Sequence, residues 1–370
     1  MRRTTSPADA PSVVSRAARA SPLARILLLV YVLLVAYASL YPFEGWRGFG
    51  LSPFAYLTAP WARYVTLFDV TVNVAGYVPF GFLAIAALHP RLRELPAFCV
   101  AVISAGVLSL SLEAVQSYLP ARFPSNLDVL CNIGGAALGA ALGQHFAALI
   151  AEGPMHDRRT AAFLPGADID FGLVLIALWL FIQLNPVTLL FGAGDLRDLL
   201  APLAGRARTP EFFVFVEAVT TAANLVAVGL LLSALTVPDV RGRRLLIVLV
   251  VVALIIKTAA FAIVMRAQNV LAWLTHGAQI GLAVGVALAF AAMALPRTAR
   301  LALAAVLLMA GAVLVNSAPP NPYLADSLKV WQQGHFLNFN GLTRLVSALW
   351  PFIALGHLMY LAARRPTSPP

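Results

Sequence analysis

The sequence predicts an all-α fold, a polytopic transmembrane bundle of about ten helices. Hydrophobic residues make up 60% of the 370-residue chain and charged residues only 11%, which differs strongly from the balance in a soluble domain. The mean hydropathy of +0.83 agrees with this. Apolar stretches near or above the ~20 residues needed to cross a bilayer recur along the chain. Because backbone amides in lipid must be satisfied internally, these stretches are predicted to be helices.

The predicted spans follow one another along almost the whole chain. They cover residues 24–43, 71–88, 96–118, 128–150, 171–191, 212–235, 245–265, 270–294, 299–316 and 344–362. Residues 1–22, rich in Ser, Ala, Pro and Arg, are predicted to form a disordered cytoplasmic tail. The first span could instead be a signal peptide cleaved after Ala36-Tyr37-Ala38. We favour a retained helix, because the apolar run continues through Tyr41.

The net charge of +10 indicates membrane topology rather than nucleic-acid binding. Most of the 26 Lys and Arg residues lie in the N-terminal tail, the even-numbered loops and the C-terminal tail. By the positive-inside rule both termini are predicted to be cytoplasmic, with the protein in the cytoplasmic (inner) membrane. The loops at 44–68, 192–211 and 317–343 are then outside.

The chain is also predicted to contain a parallel internal repeat of 4+4+2 helices. The matching features are Tyr41-Pro42 with Asn185-Pro186, Asn73 with Asn224, Arg122 with Arg266, and the glycines 135, 139 and 143 with 277, 281 and 285. The predicted units are a four-helix unit at 23–150, a degenerate four-helix unit at 151–295 and a two-helix unit at 296–370. Glycine at every fourth position is typical of close helix packing, which we favour over phosphate binding.

Seven polar residues in or beside the early spans are costly near hydrocarbon and form the candidate site. They are Asp69, Asn73, Glu113, Gln116, Arg122, Asp128 and Asn132. Their spacing of three or four places each helical pair on one helix face, near the predicted outer ends of helices two to four. We expect them to form one cluster in which Arg122 binds a carboxylate. Helix capping is the alternative for Asp69 and Asp128, which follow Thr66 and Ser125 at capping-box spacing.

Two charges lie deeper in the predicted spans. Glu113 and Lys257 occupy matching depths in equivalent helices of the two four-helix units. We predict that they form an intramembrane ion pair, because pairing would relieve two costly buried charges. The alternatives are separate solutions, in which Glu113 is protonated or binds Arg122 and Lys257 snorkels or binds carbonyls.

The segments DVTVNVAGYVPFGF at 69–82 and EAVQSYLPARFPSNLDVLCNIGGAALG at 113–139 resemble the VanZ-like family of bacterial integral membrane proteins. The resemblance rests on Asp and Asn before Pro-Phe-Gly, a Glu and Gln pair, an Arg, and Asp-x-x-x-Asn before small residues. It covers roughly residues 24–150, whereas the second unit has Lys257 and His276 where the first has Glu113 and Asn132. The resemblance implies a role in the cell envelope, since the family is named for reduced susceptibility to the lipoglycopeptide teicoplanin. It implies no particular reaction.

Three functions remain open from the sequence. The leading hypothesis is a non-enzymatic protein whose outward pocket binds a lipid-linked glycan or lipoglycopeptide, with Arg122, Asn73, Asn132 and Gln116 contacting the polar head. A secondary transporter is the second. The third is a membrane-embedded thiol transferase that uses Cys131 and His276. No cofactor, metal or nucleic acid is expected, membrane lipids are the expected surroundings, and the oligomeric state is left open.

Overall fold

A computed structural model describes residues 22–61, 65–151, 154–197, 209–237, 241–265, 270–319 and 337–364. Within these ranges the regular structure is helical, apart from one isolated antiparallel bridge between Phe163 and Thr236. The described α-helices are α1 (Pro22–Leu40), α2 (Leu67–Leu88), α3 (Glu94–Gln116), α4 (Asn126–Ala151), α5 (Pro154–Ala162), α6 (Ala167–Ile182), α7 (Pro210–Leu235), α8 (Arg241–Met265), α9 (His276–Ala292), α10 (Arg297–Ser317) and α11 (Leu337–Ala363). The predicted disordered tail lies outside the described residues, except for its last position.

The predicted class of an all-α, multi-pass membrane protein is confirmed. Seven of the described helices are long and apolar enough to cross a membrane, namely α1, α2, α3, α7, α8, α10 and α11. Helix α9 is a shorter apolar helix. Each of the ten predicted spans overlaps one of the ten longer described helices. The short α5 was not predicted, because its polar sequence PMHDRRTAA carries no spanning signal.

The fifth predicted span is shorter than expected. Helix α6 ends at Ile182, nine residues before the predicted end at 191. The residue before a proline is disfavoured in helical conformation, and Asn185 precedes Pro186. The chain instead turns back into the protein, so that Leu190 and Phe191 are buried. The missing part of the span is therefore an irregular but buried segment.

Helices α2 and α4 pack closely because α4 presents glycine to α2 at every fourth position. A Cβ atom at Gly135 or Gly139 would collide with the carbonyl oxygen of Val74 or Val78, respectively. Gly81 of α2 meets the backbone of α4 in the same way. The packing interpretation of these glycines is confirmed, since only a residue without a Cβ allows backbones this close.

Helices α7 and α9 make a contact of the same kind. Gly277 and Gly281 of α9 face the backbone of α7 at Val214 and Ala218. Gly285 continues the row one turn further. The two contacts match the glycine spacing predicted from the sequence, while the duplication and the unit boundaries stay predictions.

Helix α11 connects the two halves of the chain. The indole Nε1 of Trp350 donates a hydrogen bond to the carbonyl oxygen of Leu175 on α6, 2.7 Å away. Near the start of α11, Gly341 packs against the ring of Tyr41, which follows α1. These contacts bring the start of α11 to the end of α1, beside the first four helices.

Candidate functional site

A cavity of about 810 Å³ lies at one end of the first four helices, and we call it the polar cavity. Its lining comes from the C-terminal half of α1, the start of α2, the end of α3 and the start of α4, with Phe181 of α6 and the start of α11. All seven candidate residues line it: Asp69, Asn73, Glu113, Gln116, Arg122, Asp128 and Asn132. The structure therefore brings the seven predicted residues together around one space.

Asp69 stabilises the start of α2. Its Oδ2 accepts hydrogen bonds from the Thr66 hydroxyl at 2.6 Å and from the Thr66 backbone N–H at 3.3 Å. The Thr66 side chain accepts from the Asp69 N–H in return. This is the capping box predicted as the alternative role of Asp69. The carboxyl group caps the helix and also lines the polar cavity.

Glu113 is almost fully buried, with 5% of its surface exposed. Its Oε2 accepts a hydrogen bond of 2.9 Å from the backbone N–H of Ser125, which precedes α4. Its second carboxyl oxygen has no hydrogen-bond partner in the described part of the chain. Glu113 thus joins α3 to the start of α4 and keeps one oxygen available.

Two side-chain amides, those of Gln116 and Asn132, lie on the buried part of the lining, which we call the floor of the cavity. Gln116 donates from Nε2 to the carbonyl oxygen of Ser39 on α1 at 3.0 Å. Asn132, 6% exposed, donates from Nδ2 to the Ser109 hydroxyl at 2.9 Å. The Oδ1 atom of Asn132 is buried without a hydrogen-bond partner. An unsatisfied buried acceptor is costly.

Arg122 does not bind a carboxylate as predicted. Its Nε donates to the carbonyl oxygen of Tyr41 at 3.0 Å, and its Nη2 donates to the carbonyls of Tyr41 at 2.6 Å and Ala38 at 3.0 Å. The last carbonyls of a helix have no partner within the helix. Arg122 satisfies that of Ala38 in the last turn of α1 and that of Tyr41 just after the helix. Burial lowers the pKa of the guanidinium, and the Glu113 carboxylate opposes that shift.

Asp128 and Asn73 line the cavity without hydrogen-bond partners among the described residues. The backbone N–H of Asp128 donates to the Ser125 hydroxyl at 3.4 Å, so Ser125 caps α4 while the Asp128 carboxylate stays unpaired. Asp128 repels both Asp69 and Glu113 electrostatically. Capping therefore does not account for the Asp128 side chain.

The outer part of the cavity wall is apolar and accessible. Phe123 is 86% exposed and Val72 is 50% exposed, and both line the cavity. Phe68 and Val65 add further exposed apolar surface on the α2 side. The polar cavity thus combines a buried polar floor with an apolar rim.

The predicted ion pair between Glu113 and Lys257 is not formed. Lys257, 1% exposed, donates from Nζ to the carbonyl oxygens of Asn185 and Thr188, each at 2.7 Å. Its electrostatic partner is Glu217 of α7, which accepts a hydrogen bond of 2.5 Å from Thr275. The structure instead forms the alternative in which Lys257 binds carbonyls, and the buried turn after α6 supplies them.

The structure does not form the Cys131–His276 pair of the thiol-transferase hypothesis. His276 is exposed at the start of α9, Cys131 is a free cysteine on α4, and no hydrogen bond joins them. Within the described ranges, no group of three or more His, Cys, Asp or Glu residues could hold a metal ion.

Three hydroxyl groups on or behind the cavity lining were not predicted as part of the site. Ser109 partners Asn132, Ser125 partners Glu113, and the Tyr31 hydroxyl donates to the Gly76 carbonyl oxygen at 2.7 Å beside the cavity. Ser125 could have been found from its capping spacing to Asp128. Tyr31 and Ser109 lie inside apolar runs, where an isolated hydroxyl gives little signal.

The fold and the cavity define a multi-pass helical membrane protein with a polar site at one end of its first four helices. Residues 25–147 match the VanZ/LLP1 family, so this region of the chain is VanZ-like, as the sequence motifs predicted. No curated protein and no solved structure matches the chain. The matched region contains all seven candidate residues.

Proposed function

We propose that the polar cavity binds the polar head of an amphipathic or lipid-linked molecule of the bacterial cell envelope. The observation that carries the proposal is the contrast between the floor and the rim of one cavity. The floor contains Glu113, Gln116 and Asn132, all less than 10% exposed, whereas Phe123 on the rim is 86% exposed. A polar head on the floor and an apolar chain along the rim would match both surfaces.

The size of the cavity supports the same proposal. A volume of about 810 Å³ is within the range of ~300–1,000 Å³ usual for sites that enclose a small molecule. An apolar rim beside buried polar groups would suit an amphiphile whose chain extends along the rim. A lipid-linked glycan or a lipoglycopeptide belongs to this class.

We place the cavity on the outer side of the cytoplasmic membrane, with both chain termini inside. The Arg distribution supports this orientation. In a variant with Cys99 and Cys131 replaced by Ser, a cysteine at Ser52 should react with an impermeant maleimide from outside the cell. A cysteine at Arg158 should react only after permeabilisation. The opposite pattern would reverse the orientation.

Binding is favoured over transport by the closure of the helices beneath the cavity. The lining of α2 extends only to Tyr77 and that of α4 only to Asn132. Gly139, about two turns further along α4, meets the backbone of Val78, the residue after Tyr77, without space between the two helices. A transporter needs access to its site from both sides, and the tight contact between α2 and α4 supports binding without passage between these two helices.

Filling the cavity tests the proposal. An added Cβ at Gly76, which lines the cavity, meets no atom within 4 Å, so Gly76→Leu should occupy the space without disturbing the fold. Gly134→Leu is the matched control, since Gly134 also has no neighbour within 4 Å but does not line the cavity. Native mass spectrometry of protein purified from bacterial membranes should show a retained amphiphile in the wild type and the control, and loss in Gly76→Leu. Equal retention in all three proteins would refute the proposal.

Expression of the chain in a teicoplanin-sensitive bacterium gives a second readout. We expect a higher inhibitory concentration with the wild type and with Gly134→Leu than with Gly76→Leu. If the inhibitory concentration of teicoplanin is the same in cells with and without the protein, the protein does not affect glycopeptide susceptibility. The mass-spectrometry measurement then tests the binding proposal by itself.

A further inference from the structure

Building on the proposed amphiphile site, we infer that the polar cavity selects a head group that carries a protonated amine rather than a phosphate or carboxylate. Three acceptors on the lining have no hydrogen-bond donor among the described residues. They are the second carboxyl oxygen of Glu113, the carboxylate of Asp128 and the Oδ1 atom of Asn132. An ammonium group has three donors and no acceptor.

The charges around the cavity agree with a cationic head. Asp69, Glu113 and Asp128 place three carboxyl groups on the lining, and Asp128 repels the other two. A bound cation would reduce this repulsion, whereas a phosphate would add to it.

Arg122 carries the one guanidinium among the described lining residues, and this group is largely committed to the protein. Arg122 uses its Nε and Nη2 atoms to bind the carbonyls of Ala38 and Tyr41. The bidentate fork with which arginine recognises phosphate or carboxylate needs two neighbouring N–H groups. Turning that fork toward a ligand would leave the end of α1 without its cap. The arrangement therefore disfavours an anionic head.

Asn132 adds a buried neutral acceptor to the acids of the lining. Asn132 is 6% exposed, lines the cavity and has a buried oxygen with no partner. The acids do not form a metal site, because no suitable group of three ligands exists in the described ranges. A ligand with several N–H donors and an apolar chain satisfies both the floor and the rim.

Three short amphiphiles with the same chain and different heads test the inference. Octylamine, octyl glucoside and octyl phosphate are equilibrated with the full-length protein in phosphatidylcholine nanodiscs, and binding to empty nanodiscs is subtracted. At pH 7 octylamine is protonated. We expect octylamine to bind about tenfold more tightly than octyl phosphate, which is the effect of one charge-assisted hydrogen bond. Asp128→Asn and Asn132→Leu should each reduce this preference.

Glu211→Gln is the control variant, because Glu211 is an exposed acid in the first turn of α7, outside the cavity lining. It should keep the octylamine preference. Equal or tighter binding of octyl phosphate or octyl glucoside, abolished by Gly76→Leu, would overturn the amine inference and leave the amphiphile site intact. Saturable binding of none of the three would overturn both. Octylamine binding unchanged in Asp128→Asn would also contradict the inference.

Discussion

The helix pairs α2–α4 and α7–α9 share one packing mode and differ in what surrounds it. In both pairs a row of glycines brings two helix backbones into contact. In the most apolar part of each helix, 33% of the residues of α2 are buried, compared with 83% of those of α7. Helix α10 packs along α7 and covers it, whereas the start of α2 faces the polar cavity.

The charged groups of the two pairs follow this difference. Beside α7, Lys257 binds two carbonyls and Glu217 accepts from Thr275, so both have partners inside the protein. Beside α2, the carboxylate of Asp128 has no partner among the described residues. The comparison teaches that one packing mode can support either a closed core or an open site.

The largest expected effect comes from breaking the shared glycine contact. Gly139→Val and Gly281→Val should each destabilise the fold by about 3 kcal/mol, because their side chains would meet backbone atoms that cannot move aside. Thermal unfolding of the purified variants in detergent measures this loss.

Gly134→Val is the control for α4, because its Cβ meets no atom within 4 Å. We expect it to unfold within about 0.5 kcal/mol of the wild type. If Gly139→Val were tolerated and Gly281→Val were not, the two pairs would not share a packing mode and the comparison would fail.

Replacing Lys257 tests whether the α7–α9 region depends on hydrogen bonds between Lys257 and the protein interior. Lys257→Met should cost about 2–3 kcal/mol, because the buried carbonyls of Asn185 and Thr188 lose their donor. Thr258→Val is the neighbouring control, since its hydroxyl binds only the Leu254 carbonyl of its own helix. Chemical denaturation of both variants should separate them clearly, and equal stability would show that the Lys257 bonds are not needed.

The fold was predictable from the sequence because lipid imposes one simple rule on every span. Length and apolar composition located the ten longer helices, and glycine spacing indicated close packing. The predicted end of α6 was wrong. Asn185-Pro186 favours a helix end, but the apolar residues that follow it extended the predicted span. Those residues are buried in the protein rather than in lipid, which hydropathy alone does not distinguish.

The members of the site were predictable and their partners were not. Polar residues in apolar helices are rare, so Asn73, Glu113 and Asn132 stood out from their surroundings. Backbone carbonyls do not appear in a sequence pattern, yet carbonyls bind both Arg122 and Lys257. Both predicted ion pairs failed for this reason.

Replacing Arg122, beside the α2–α4 pair, is expected to have a smaller effect on stability. Arg122→Gln should destabilise the fold by about 1–2 kcal/mol by removing the cap of α1, and octylamine binding should remain. Arg91→Gln, at an exposed position, is the control and should be neutral. Loss of octylamine binding with unchanged stability would show instead that Arg122 contacts the ligand.

The smallest expected effect is the coupling between the two deep charges. Glu113 and Lys257 have separate partners, so the losses in Glu113→Gln and Lys257→Met should add to within about 0.5 kcal/mol in the double variant. A glutamine at 113 can still accept from the Ser125 N–H, which keeps its single loss small. The cycle of Lys257→Met with Glu217→Gln is the positive comparison, because these two groups attract each other and should show a larger coupling. A coupling energy of about 1 kcal/mol or more between positions 113 and 257 would show that Glu113 and Lys257 interact electrostatically.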